Sequence, residues 1–143
     1  MPVDFVVHVL DWDAARADAR LVREAVFVRE QGVPLELEYD DLDRTSEHAL
    51  VRDASGQAIG TGRLLTDGRI GRMAVLPGWR NRGVGAAILD RLVARARERG
   101  MERVALSAQL HAARFYARYG FTAEGETYLE AGISHVKMTR DLV

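Results

Sequence analysis

Residues Met73–Gly100 read MAVLPGWRNRGVGAAILDRLVARARERG. A β-prone apolar run meets a Pro-Gly break, then Arg80, Arg82, Gly83 and Gly85, and a helical pattern follows at once. Val84, Ile88, Leu92 and Ala96 fall on one face and Gly100 supplies a stop, so the stretch predicts a helix over Gly83–Arg99. The first turn of a helix holds N–H groups without intrahelical partners and carries a positive partial charge. Removing side chains there and adding arginines prepares a seat for an anion.

Working outward, Val3–Leu10 predicts a strand. DAARADARLVREAVFVREQG predicts a helix with Asp13 as N-cap and Gly32 as stop. VPLELEYDDLDRTSE follows as an acidic connector that holds Glu36, Glu38, Asp40, Asp41, Asp43 and Glu47. His48–Arg52 and Ala58–Leu65, joined by an ASGQ turn, predict a hairpin, and TDGR leads to a third antiparallel strand over Ile70–Leu76. Beyond the central helix come a strand over Arg103–Ser107 and a short helix over Ala112–Tyr119, closed by Gly120. Two terminal strands flank EAGIS, the last near His135–Leu142. This order predicts a mixed α/β sheet with helices on its faces, in one domain spanning residues 1–143.

Composition limits the function. With 48% hydrophobic residues among 143, the chain fills a core without staples. There is no cysteine, hence no thiolate nucleophile, disulfide or Cys-bound zinc. Four histidines at positions 8, 48, 111 and 135 lack metal-ligand spacing, so no metal is expected. A formal net charge of −1 argues against nucleic-acid and membrane-surface partners. The sequence shows neither a signal-peptide pattern nor a membrane-length apolar run, and a cytoplasmic location is expected. Lys137 is the only lysine among 20 basic residues, so arginine positions carry more information than their number.

Two common phosphate loops fit poorly. A Walker A loop needs Lys and Ser/Thr after its second glycine, where this chain has Ala86 and Ala87. The dinucleotide motif matches GVGAAI only in its first two glycines, because Ile88 stands where a small residue should permit close helix–strand packing. A nucleotide-binding oxidoreductase is therefore a weak rival.

Arg80, Gly83, Gly85 and Ala86 form Arg-x-x-Gly-x-Gly-Ala between a strand and a helix. Phe115, Tyr116, Gly120 and Phe121 form Phe-Tyr-x-x-x-Gly-Phe downstream. On these motifs and on its element order the chain resembles the GNAT superfamily of acetyltransferases over nearly its whole length. AVFVREQGVP, AQLHAARFYARYGF and YLEAGISHVKM are similar to the ElaA-like subgroup. The resemblance implies a GNAT fold, a three-layer domain about a mostly antiparallel, splayed sheet. It implies acetyl-CoA as cosubstrate, with its pyrophosphate on the backbone of Arg82, Gly83, Val84, Gly85 and Ala86, and Arg80 shaping the loop. It also implies that Met73, Ala74 and Val75 pair with the pantetheine arm as an added strand. Gln109, where relatives often carry Asn, becomes a further pantetheine contact. Phe115 and Phe121 read as core. Tyr116 is implied to be the general acid: a phenol keeps its proton at neutral pH and can pass it to a departing thiolate. Homodimers are frequent in the superfamily.

An amine acceptor must lose a proton before attack. Many relatives place a carboxylate on the fourth strand for this purpose, but RIGRMAV has none and holds Arg72 instead. Glu30, His111 and His135 stand as candidates for the base, directly or through water, since histidine changes charge near neutrality. The acidic connector reads either as a solvated loop or as a rim that draws in a cationic amine. The expected activity is acetyl transfer to a small-molecule or peptide amine by direct attack in a ternary complex. A CoA-binding sensor or scaffold that has lost catalysis is the alternative.

Overall fold

The structure is a computed structural model that describes residues 4–143. Val3, expected in the first strand, lies outside the described residues. The elements run β1 (Phe5–Leu10), α1 (Trp12–Arg23) continued by a π-helical stretch (Glu24–Glu30), α2 (Leu35–Glu38), a 3₁₀ turn (Asp41–Thr45), β2 (Glu47–Asp53), β3 (Ala58–Leu64) and β4 (Arg69–Val75). After a 3₁₀ turn (Pro77–Trp79) come α3 (Val84–Glu98), β5 (Arg103–Gln109), a 3₁₀ turn (Leu110–Ala112), α4 (Ala113–Arg118), β6 (Thr122–Glu130) and β7 (Ile133–Asp141).

Alternation along the strands sorts the core into layers. In β2, Ala49 and Val51 pack with Ile88 and Leu92 of α3, while Leu50 between them packs with Val22 and Val26 on the opposite face. β3 is buried along its whole length because helices cover both of its faces. Close approach of α3 is made possible by the sheet. A Cβ on Gly60 would lie 2.9 Å from Val84 Cγ1, and one on Gly62 would lie 2.8 Å from Ile88 Cγ2. Ile88 can therefore be large: the missing side chains are on β3, not on the helix.

The sheet has the order β1-β2-β3-β4-β5-β7-β6. All neighbours are antiparallel except β4 and β5, which are parallel. That pair is joined only at Arg69↔Ala105 and Ile70↔Leu106 before the strands part. A bulge explains the divergence. Three steps on β4, from Gly71 to Ala74, face two on β3, from Arg63 to Thr61. The bulge residue Arg72 has φ +48°. One extra residue bends a strand away from its neighbour. A mostly antiparallel, splayed sheet between helical layers is the architecture.

Local boundaries differ from the sequence expectations for identifiable reasons. Asp11, not Asp13, caps α1, accepting from the Ala14 N–H at 2.9 Å, so Trp12 is already inside the helix. Gly83 precedes α3 because its φ of +86° is left-handed. The tyrosine helix is a 3₁₀ turn followed by only six α-helical residues. No helix among the described residues is long and apolar enough to cross a membrane.

Candidate active site

The parting of β4 from β5 opens a cavity of about 1490 Å³. Single-ligand pockets span roughly 300–1,000 Å³, so this one has room for two reactants. One wall comes from the start of α3 and from α4. The other comes from α2, the β4 bulge and the β6–β7 hairpin.

On the first wall, the Ala87 N–H to Gly83 carbonyl bond, 3.0 Å long, is the first of α3. The N–H groups of Val84, Gly85 and Ala86 therefore precede the helical ladder, and no side chain caps them. Left-handed Asn81 and Gly83, at φ +61° and +86°, turn the chain into this position. Both predicted arginines hold the loop. Arg80 donates through Nε to the Val75 carbonyl at 3.0 Å and through both Nη atoms to Glu30 at 2.6 Å. Arg82 folds back over Trp79, its guanidinium carbon 3.9 Å from the ring centroid. A side chain on Gly85 would meet Phe115 Cζ at 3.5 Å, an ordinary contact.

β4 gives this wall a free flank. The Leu76 N–H donates to Ile59 on β3, so by alternation Ala74 also faces β3 and Met73 and Val75 face the gap. Ala74 thus contributes a buried methyl to the core, and its backbone is turned from the position expected of a pantetheine contact. Tyr116 projects from α4, packed edge-on against Phe115 and Phe121 with centroids 5.1 and 6.1 Å away. Its hydroxyl points to Met73 Sδ at 3.7 Å, a weak acceptor. Burial pushes the phenol up to about 12. Gln109 forms a reciprocal amide pair with Gln31, at 2.9 and 3.3 Å, tying the end of β5 to the end of the first helix.

The three candidate bases fare differently. Glu30 is held as a carboxylate by its hydrogen bonds from Arg80, which lower its affinity for a proton. Its geometry is that of a clamp on the Arg80 loop, which is a correction to its expected role. His111 sits exposed on the 3₁₀ turn at the cavity edge. His135 is buried and places Nδ1 2.6 Å from the Ile133 carbonyl. A carbonyl only accepts, so Nδ1 carries hydrogen and Nε2 of the neutral ring offers its lone pair. Nε2 lies 3.5 Å from Glu130 Oε2, and the ring stacks on Tyr128. Tyr128 bonds Ser107, whose Oγ also reaches Glu130 at 3.4 Å. Ser107, Tyr128 and Glu130 escaped the sequence reading because cross-strand partners leave no spacing signature.

Much of the acidic connector's charge is neutralised within the fold. Glu38 and Asp43 are buried, and Arg23 donates to Glu38 Oε1 at 2.5 Å and to both Asp43 oxygens at 2.8 and 3.1 Å. Arg63 donates to both Asp40 oxygens at 2.8 Å and to Asp43 at 2.9 Å. The Arg63 hydrogen bonds hold the Asp40 carboxyl down at about 2. Burial opposes ionisation of Asp43, but Arg23 and Arg63 outweigh it and lower its proton affinity. Glu38, Asp40 and Asp43 are thus spent on holding α2 against the sheet, Glu47 pairs with Arg95 of α3 and with Arg99 just after it, and Glu36 and Asp41 stay exposed. Among the described residues, no three His, Asp or Glu side chains converge as metal ligands.

A seven-stranded sheet splayed between two parallel strands, with a capless helix start beside the gap, defines an acyltransferase class. The sequence profile of the acetyltransferase (GNAT) domain matches residues 15–142, and the chain belongs to that family. It is 41% identical over 128 residues to the uncharacterized N-acetyltransferase YjcF of Bacillus subtilis, covering 87% of this chain and 91% of that protein. An acyl-CoA N-acyltransferase from Pseudomonas aeruginosa superposes with TM-score 0.81 at 32% identity, covering 97% of this chain and 99% of its own. Escherichia coli ElaA superposes with TM-score 0.84 at 27% identity, covering 95% and 99%. The protein is a GNAT acetyltransferase.

Proposed function

We propose that the protein transfers an acetyl group from acetyl-CoA directly to a primary amine within a ternary complex. The observation that carries this reading is the alignment of three features along one gap. These are the capless start of α3, the free flank of β4 and the Tyr116 hydroxyl. They fit the cosubstrate in turn. Unpaired N–H groups suit a pyrophosphate, an extended strand flank suits the amides of pantetheine, and a phenol donor suits the thioester sulfur. Val75 and Met73 would hold the arm, and Val84, Gly85 and Ala86 the pyrophosphate. Arg80 and Arg82 would keep the loop in shape. Gln109 and Gln31, which line the same cavity, would bound the arm's far side.

Acetyl-CoA brings an activated thioester, and the chain's residues manage the protons. His135 Nε2 accepts a proton from the acceptor ammonium, directly or through water, and Glu130 stabilises the imidazolium formed. Tyr116 gives its proton to the sulfur as the C–S bond breaks, and the second proton that the nitrogen sheds after attack restores the phenol. The amine nitrogen gains the acetyl group, free CoA leaves as a thiol, and the proton held by His135 passes to solvent. With no cysteine in the chain, the direct route avoids any acyl-cysteine. A small-molecule or peptide amine is the acceptor, and action in the cytoplasm and as a possible homodimer belongs to the same proposal.

A thiol-release assay with acetyl-CoA across a panel of amines tests it. Amine-dependent release that falls in Tyr116→Phe supports the reading. Tight CoA binding without turnover of any amine favours a sensor or scaffold.

A further inference from the structure

Arg72 occupies the position on β4 where a carboxylate was sought, and its surroundings leave its charge underused. It is the bulge residue, at φ +48°, and it lines the cavity beside α2. The short contacts of the neighbouring carboxylates belong to Arg23 and Arg63, at 2.5 to 3.1 Å. Arg72 receives only the remainder: Asp40 Oδ2 at 3.3 Å, the Leu37 carbonyl at 3.4 Å and Glu38 Oε1 at 3.8 Å. Its Nε is buried with no hydrogen-bond partner among the described residues. A guanidinium has five donors in a planar fork, and the half-buried Arg72 has donor capacity left over for a ligand. Asp40 and Asp43 are absent from the cavity lining, whereas Arg63 and Arg72 are part of it. Of the network's carboxylates only Glu38 lines the cavity, beside Arg63 and Arg72, so guanidiniums outnumber carboxylates on that wall.

We infer that Arg72 recognises an anionic group on the acceptor, so the substrate is an amine that also carries a carboxylate. The inference rests on the acetyl-transfer reading above and narrows its acceptor. A carboxylate matches the planar fork of one guanidinium. A phosphate would call for further free cations, whereas Arg23 is engaged by Glu38 and Asp43 and Arg63 keeps only its Nε without a partner. The ammonium pole then faces His135 and Glu130 on the hairpin, while the carboxylate faces Arg72 on β4. A bipolar acceptor is thus oriented by opposite charges on two separate elements.

The test compares α-, β- and γ-amino acids with their own carboxamides in the thiol-release assay, for the parent, Arg72→Met and Arg72→Lys. At least one amino acid should exceed its carboxamide about 10- to 100-fold in kcat/KM, the scale of a charged hydrogen-bonded contact, and mainly through KM. That ratio should fall to near one in Arg72→Met and be partly restored in Arg72→Lys, with calorimetric CoA binding serving as the check of folding. A parent enzyme that handles carboxamides as well as amino acids overturns the inference, and so does a preference that survives in Arg72→Met. If Arg72→Met fails to fold, the parent ratio decides. If no amine is acetylated, the transfer reading fails, and calorimetry of the same pairs into the CoA-bound protein decides on Arg72. Binding of the amino acid alone supports the anion site, and equal or absent binding overturns it.

Discussion

Tyr116 keeps its proton because burial removes the water that would solvate a phenolate, pushing its pKa up to about 12. The sign of its pH effect follows. A raised acid stays protonated as pH rises, so Tyr116 imposes no fall in kcat between pH 7 and 10, and any loss of its proton belongs near pH 12. Tyr116→Phe should keep acetyl-CoA affinity and reduce kcat by ~10²–10⁴-fold, the usual scale of general acid catalysis. Parent-like turnover in a folded Tyr116→Phe enzyme would reduce the residue to core packing. His135→Gln should behave differently. Its loss is greatest near neutral pH and shrinks toward the pKa of the acceptor amine, where the nucleophile deprotonates unaided. A loss independent of pH would remove His135 from the proton path. Tyr116 was legible in the sequence because its motif is local, spanning Phe115 to Phe121. The Glu30–Arg80 clamp was not, since its members are fifty positions apart and meet only after the sheet forms. Read singly, Glu30 resembles a free base, and nothing in the sequence ties it to Arg80.

At the scale of elements, the glycines of β3 and the arginines behind α2 make quantitative claims. Gly62→Ala places a methyl 2.8 Å from Ile88 Cγ2 and 3.0 Å from Met73 Cγ. Overpacking of this kind costs about 1–3 kcal/mol, to be read from denaturant midpoints with an unchanged m-value. No loss would mean that α3 can move back at little expense. Arg23→Met strands the buried Glu38 carboxylate and leaves Asp43 to Arg63 alone, and should cost roughly 3–5 kcal/mol by the same measurement. Because the Asp40 carboxyl is held down at about 2, its contribution is present above about pH 4 and is lost as pH falls toward 2, and Asp43, also lowered, acts in the same direction. Strand and helix order was legible because periods of 2 and 3.6 are written locally. The bulge at Arg72 and the π-helical stretch over Glu24–Glu30 were not, since each is one register choice imposed by packing partners. The acidic connector was misread for the same reason. Its counter-charges Arg23 and Arg63 lie on α1 and β3, where the sequence shows no pairing with Asp43.

Across the whole molecule, the divergence of two parallel strands turns a sheet into a catalyst. It exposes a flank of β4 and opens a second wall from α2 and the β6–β7 hairpin, and the proposed function assigns these to the two reactants. The wall proposed for the cosubstrate is more legible in the sequence than the wall proposed for the acceptor. The former is built from the contiguous run from Met73 to Ala86, the latter from single residues on separate elements. The central claim is that the gap beside β4 and the start of α3 receive CoA. Residue-resolved hydrogen exchange with and without saturating CoA tests it most directly. The account predicts slowed exchange at Val75, Val84, Gly85 and Ala86, with little change at Ala74, whose N–H already faces β3, and nearly the same protection from dephospho-CoA. Unchanged exchange at Val75 and at the α3 start in the CoA complex would contradict it.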